Sequence, residues 1–199
     1  MNLPDLIISH EFSRIPPRFY SDATGKPFET CLVCGRGLLE PGIQYVIEKA
    51  IRNYDNFGTK DTIFEYAMCF SCMDAYRANL SEESNRRIDA YLAQNVDLVK
   101  RRHAFMEAEN LDVADWTSNC VVTGQPAGRC QEYQIYCQCD GGNMLFTYMP
   151  FMISGEVMDD VVLLLSEKTL GEIGGFMDEY FDLPPELKIN PVDRPVLIF

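Results

Sequence analysis

Apolar positions crowd along two neighbouring stretches, Gln44-Tyr-Val-Ile-Glu-Lys-Ala-Ile-Arg52 and Asp61-Thr-Ile-Phe-Glu-Tyr-Ala-Met68, both rich in β-branched and aromatic residues. Asn53-Tyr-Asp-Asn-Phe-Gly58 lies between them, which predicts a hairpin with a longish loop. Further on the period changes. Met73, Tyr76 and Leu80 form a helical stripe, and Ser81 with Glu82 and Glu83 reads as the capped start of another helix. Ile88, Leu92, Val96, Val99 and Met106 continue at helical spacing to about Glu109, predicting one long helix that links two halves of the chain. Before the hairpin, Ile15-Pro-Pro-Arg18 and Ser21-Asp-Ala-Thr-Gly25 carry turn chemistry, so residues 1–30 are read as an extended arm packed on the hairpin unit.

The hairpin is bracketed by Cys31-Leu-Val-Cys34-Gly35 and Cys69-Phe-Ser-Cys72. Two CxxC pairs at this separation read as a four-thiolate metal site, with Cys31, Cys34, Cys69 and Cys72 as ligands of one structural Zn2+. Glycines after the first pair permit the positive φ that turns backbone N–H groups toward the sulfurs. The second pair stands where a helix begins, where i and i+3 positions share a face and the helix dipole favours thiolates.

Beyond Asn110-Leu-Asp-Val-Ala-Asp-Trp-Thr117 the pattern returns. Cys120-Val-Val-Thr123-Gly124 resembles the first knuckle, and Tyr133-Gln-Ile135 follows it much as Tyr45-Val-Ile47 follows Cys31. At an offset of 85 residues Met73-Asp74 falls on Met158-Asp159, Leu80-Ser81-Glu82 on Leu165-Ser166-Glu167, Ser84 on Thr169 and Ile88 on Ile173. Order and even spacing make this a tandem duplication. Thr123, Ser154 and Val157 then stand opposite Cys34, Cys69 and Cys72, so the second copy is expected to be metal-free. Its helix offers Leu170, Ile173, Phe176, Met177, Tyr180 and Phe181 as a broad apolar face, Leu183-Pro-Pro-Glu186 ends it, and Pro195–Phe199 reads as a strand or arm over the core. The chain thus divides into an arm (1–30), a metal-binding unit with the long linker helix (31–110) and a degenerate repeat with a C-terminal arm (111–199).

A CxxC-Gly knuckle, a hairpin and a CxxC at a helix start resemble the treble-clef zinc-finger superfamily, over residues 31 to about 80 directly and 120 to about 165 through the repeat. The resemblance implies an α+β fold of two treble-clef-like units, the first holding zinc through Cys31, Cys34, Cys69 and Cys72. It says little of function, because one fold hosts many. Nuclease branches need a histidine base near the hairpin, and neither His10 nor His103 stands there.

Composition narrows the rest. In 199 residues the formal net charge is -13, which argues against a general nucleic-acid binder. The one basic concentration, Lys100-Arg101-Arg102-His103 with Arg86 and Arg87, reads as a solvated helix face that also pairs with the acidic body; nucleic-acid binding through it is the sharper alternative. Twelve acidic residues against four basic ones after Cys120 could face a basic protein partner. Eight cysteines are too sparse for a disulfide scaffold, the N-terminal stretch lacks a signal-peptide pattern, and no run is long enough for a membrane span. A reducing, cytoplasmic setting is expected. Cys120, Cys130, Cys137 and Cys139 are spaced too irregularly for a second metal site and read as core residues, Cys137 and Cys139 sharing a strand face with Tyr133 and Ile135.

No paired base and nucleophile, phosphate-cradling glycine loop or open metal position is visible, so the expected role is a non-catalytic scaffold or adaptor that binds another protein, or itself. An enzyme with its site in the groove between the halves is the alternative class. A pocket holding Glu132, Tyr133 and Cys137 would favour it.

Overall fold

The computed structural model describes residues 11–54 and 58–181. The readings placed on His10, Leu183–Glu186 and Pro195–Phe199 lie outside these residues. Among the described residues the fold is α+β, a six-stranded antiparallel sheet with six helices. Its strands are β1 (Glu11–Arg14), β2 (Gln44–Tyr54), β3 (Thr59–Cys69), β4 (Glu132–Asp140), β5 (Asn143–Phe146) and β6 (Phe151–Ser154). The sheet runs β1-β5-β4-β2-β3, with β6 beside β4. One edge of β4 is shared: Gln138–Asp140 pair with β5, and Tyr133–Tyr136 pair with β6.

The helices are α1 (Phe70–Asn79), α2 (Glu82–Asn95), α3 (Leu98–Glu107), α4 (Val113–Trp116), α5 (Gly155–Val162) and α6 (Glu167–Tyr180). A glycine-turned knuckle, a hairpin and two helices occur in that order in each half. The predicted hairpin forms, one strand running two residues further than expected and the other starting two earlier. β2 lies between β3 and β4 and is covered on both faces, so its side chains are buried almost without alternation from Tyr45 to Ala50.

The arm is not merely laid on the metal-binding unit: its strand β1 pairs with β5 of the second half. Phe19, fully buried in a short 3-10 turn at Pro17–Phe19, anchors it.

The long linker helix does not exist as one piece. Val96 is extended, and Asp97 caps a new helix by accepting from the Lys100 N–H at 2.8 Å. Asn95-Val-Asp97 carries the signal that the apolar stripe obscured, a β-branched residue followed by a good N-cap. The break turns Leu98 and Phe105 onto the core and leaves Val99 exposed.

Nor do the halves meet through a linker. They merge into one sheet through β2 and β4, and their buried residues form one cluster. In the β2–β4 register Tyr45 faces Cys139 while its counterpart Tyr133 faces Ile51, so the pairing is approximately two-fold symmetric about Glu48 and Tyr136, which face each other. The helices obey the same axis. Ser81 caps α2 and Ser166 caps α6. The Ser81 N–H donates to Thr169 Oγ1 at 3.0 Å, and reciprocally the Ser166 N–H donates to Ser84 Oγ at 2.9 Å. Ser84 and Thr169 are wholly buried, and each hydroxyl bonds the capping serine of its own half as well as the cap of the other.

The basic cluster is a solvated face only in part: Arg86, Arg87, Lys100 and His103 are exposed, whereas Arg101 and Arg102 turn inward. Arg101 donates to the carbonyls of Pro150 and Trp116, and its guanidinium lies 5.0 Å from the ring centres of both Phe105 and Trp116. Arg102 Nε donates to the Phe146 carbonyl at 3.0 Å, and Arg87 pairs with Glu83. Arg101 is the bolt between α3, α4 and the loop before β6. Arg101→Ala should cost about 2–3 kcal/mol, read by denaturant melts, because two carbonyls lose a charged donor and Trp116 loses its stacking partner. A loss under about 0.5 kcal/mol would return the residue to the surface role.

Candidate metal centre and adjoining cavity

The first knuckle is closed by backbone bonds. The Gly35 N–H donates to the Cys31 carbonyl at 2.9 Å, the Cys31 N–H to the Arg36 carbonyl at 2.9 Å, and Gly35 takes φ +67°. A further bond, Leu32 N–H to Ala67 O at 2.9 Å, staples the knuckle to the end of β3. Cys69 is the last residue of β3 and the N-cap of α1, which brings Cys72 into the first helical turn. The ligating atoms of Cys31, Cys34, Cys69 and Cys72 all lie within 4.8 Å of one another.

Two are buried, Cys72 is half-buried and Cys34 is exposed. Burial pushes the Cys31 thiol up, but N–H groups of Cys34, Cys69 and Val33 outweigh it and bring it to about 7. Cys72 moves the other way: burial raises it, and the neighbouring sulfurs add to the rise. Four thiols this close cannot all ionise without a cation to share, so the arrangement fits a metal ion.

The second knuckle reproduces the first bond for bond without that chemistry. Gly124 N–H donates to Cys120 O at 2.8 Å, Cys120 N–H to Gln125 O at 2.8 Å, and Val121 N–H to Met152 O at 2.9 Å. The Ser154 N–H reaches Cys120 Sγ at 3.4 Å, the distance at which the Cys69 N–H reaches Cys31 Sγ. Of the four ligand positions only Cys120 keeps a sulfur. The substitutions Thr123→Cys, Ser154→Cys and Val157→Cys together should therefore create a second site. Cobalt titration of that variant should saturate at two equivalents, against one for the parent. Saturation of both at the same stoichiometry would break the correspondence.

The other cysteines do not gather. Cys137 and Cys139 sit on one face of β4 opposite Ile47 and Tyr45, buried, their sulfurs 3.8 Å apart. Burial pushes the Cys137 thiol well up. Among the described residues, the four-cysteine cluster is the one group of three or more His, Cys, Asp or Glu ligands placed to hold an ion. Of Glu132, Tyr133 and Cys137, the last two are buried in the core and Glu132 pairs with Arg52.

Linear reading missed two features. The first is Glu48, 1% exposed at the centre of the sheet. It accepts from Tyr66, and the Tyr136 hydroxyl lies 3.3 Å from its Oε1 while also donating to Gln134. Burial pushes its carboxyl up to about 8, partly offset by the two tyrosines. A strand apolar on both faces, with one acid at its middle, is the sequence signal for such a residue. On the opposite face Lys49 is likewise buried, with Asp22 at 2.7 Å and Glu65 at 2.9 Å.

The second is a cavity of about 590 Å³ between α1 and α6, bordered by Cys34, Cys69 and Cys72. Arg36, Ser71, Asn79, Glu172, Glu179 and Tyr180 are the polar residues on its walls, and Tyr76 lines it as well. Its lining mixes residues more than a hundred positions apart, so no local motif announces it.

Compared with protein-family models, curated proteins and solved structures, the chain matches none of them. Among the described residues no helix is long and apolar enough to cross a membrane.

Proposed function

We propose that this chain is a non-catalytic, zinc-stabilised scaffold or adaptor that binds another protein, built as two treble-clef-like units of which the second has lost its metal. The carrying observation is the closed four-sulfur cage. A tetrahedral Zn2+ with Zn–S of about 2.3 Å separates its sulfurs by about 3.8 Å, and Cys34 and Cys69 stand 3.8 Å apart. Cys31, Cys34, Cys69 and Cys72 would hold the ion, and four protein sulfurs leave no coordination position for substrate or water. What the ion supplies is folding energy. The residues around it orient it: the Cys69 N–H is aimed at Cys31 Sγ, and the knuckle is fixed to β3 through Leu32. Free cysteines throughout the described residues fit a reducing compartment, which we take to be the cytoplasm.

The test is metal content on protein purified without added metal. One zinc per chain, lost with the fold in Cys31→Ser and kept in Cys120→Ser, is the expected result. Two metals per chain, or a folded metal-free protein, would overturn the structural-zinc reading. The adaptor part is checked by isolating the native chain from its cells. A stoichiometric complex with another protein that dissociates when zinc is chelated is expected; a lone chain that turns over a small molecule would place it among enzymes.

A further inference from the structure

We propose that the cavity between α1 and α6 receives an arginine side chain from a basic segment of the partner protein. This rests on the adaptor reading and names the chemistry of its contact. Glu172 and Glu179 stand two turns apart on α6 and both line the cavity, joined by the aromatic rings of Tyr76, Phe176 and Tyr180. Phe176 packs 5.0 Å from the Tyr76 ring and 4.8 Å from the Tyr180 ring, centre to centre. Carboxylates beside aromatic faces are what a planar guanidinium recognises, by paired hydrogen bonds and by stacking. The metal cage adds to the field, because four thiolates around a divalent ion carry two net negative charges. Arg36 is the one cation in the lining, at the knuckle rim opposite α6, where it can meet a carbonyl or carboxylate of the incoming chain.

A further observation points to an occupant. Gly171 and Gly175, in the interior of α6, also line the cavity. A Cβ built on either meets nothing within 4 Å, so packing of the chain does not require them. Glycine inside a helix is disfavoured relative to alanine, and here that cost keeps the groove open for a side chain from outside.

The experiment is an NMR titration of zinc-loaded full-length protein with N-acetyl-arginine methylamide, whose neutral isostere N-acetyl-citrulline methylamide is the control. Saturable shifts at the amides of Ser71, Cys72, Gly171 and Gly175, absent with citrulline, are expected. Glu172→Gln with Glu179→Gln should weaken binding at least fivefold, whereas Glu167→Gln with Asp178→Asn, an equal charge loss on the same helix, should change it less than twofold. Gly171→Leu with Gly175→Leu should abolish binding while the melting temperature holds or rises. Equal binding of citrulline, equal weakening by both acidic pairs, or no saturable shift would overturn the proposal. Zinc content, measured on the same samples, separates the two ways of failing. A zinc-loaded chain that ignores arginine loses the groove but not the scaffold; a chain that binds arginine yet forms no protein complex loses the adaptor instead.

Discussion

Cys34→Ser or Cys72→Ser is expected to abolish the cooperative thermal transition near its normal temperature, a larger effect than that of Arg101→Ala or Glu48→Gln. Metal binding in small four-ligand sites is worth about 10–16 kcal/mol, comparable with the whole stability of an ordinary domain at about 5–15 kcal/mol. The damage should not stay local. Cys31, Leu38 and Cys69 belong to the same buried cluster as the strands and helices of the second half, and the knuckle holds the end of β3 through Leu32. Chelation should therefore melt both halves together in a circular-dichroism scan. Thr123→Ala, at the matching place in the second knuckle, should shift the midpoint by no more than a few degrees. Equal losses from Thr123→Ala and Cys34→Ser would show that the knuckles do not correspond as aligned.

The second large effect belongs to Glu48. Tyr66 donates to Glu48 Oε2, and the Tyr136 hydroxyl stands 3.3 Å from Oε1. Burial at the centre of the sheet outweighs both phenols and holds the carboxyl protonated, raised from 4.5 to about 8. A group raised on folding stabilises the fold while it holds its proton. This contribution is thus fully present below the unfolded value of 4.5 and is lost as pH rises through 8, at about 1.4 kcal/mol per unit. Glu48→Gln keeps the geometry, its amide donating to Tyr136 and its carbonyl accepting from Tyr66, but has no proton to lose. The variant should gain on wild type from pH 5.5 to 8.5, the difference reaching on the order of 4 kcal/mol or 10 °C in melting temperature at the alkaline end. Parallel melting curves across that range would mean that Glu48 is not held neutral.

The hairpin and the four-cysteine cluster were readable because each rests on local chemistry: β-branched runs for the strands, and cysteine spacing with a glycine at positive φ for the knuckle. The matching caps at Ser81 and Ser166 were readable because helix caps have a signature, yet the alignment could not tell that Ser84 and Thr169 satisfy the opposite cap. That is a contact between residues some 85 positions apart, and pattern alone does not encode it. The linker helix was overread because Val96 and Val99 kept the spacing while Asp97 supplied a stronger local alternative for the backbone. Arg101 looked like surface charge because sequence cannot show that Trp116 and Phe105 rise to meet it.

The axis through Glu48 and Tyr136 bears on where the chain came from. Under the proposed duplication, the single-copy ancestor would have formed this sheet by self-association, β2 against a second β2, with whatever residue stood at Glu48 meeting its own image. Two buried carboxyls in that position would have had to share one proton. Joining the copies in one polypeptide would have freed the two sides to differ, an acid on one and a phenol on the other, four cysteines on one and Cys120, Thr123, Ser154 and Val157 on the other. An isolated segment of residues 1–110 would regain the old problem. Its uncovered β2 edge would invite pairing between identical chains, and the resulting homodimer should form in mildly acidic solution and dissociate as pH rises.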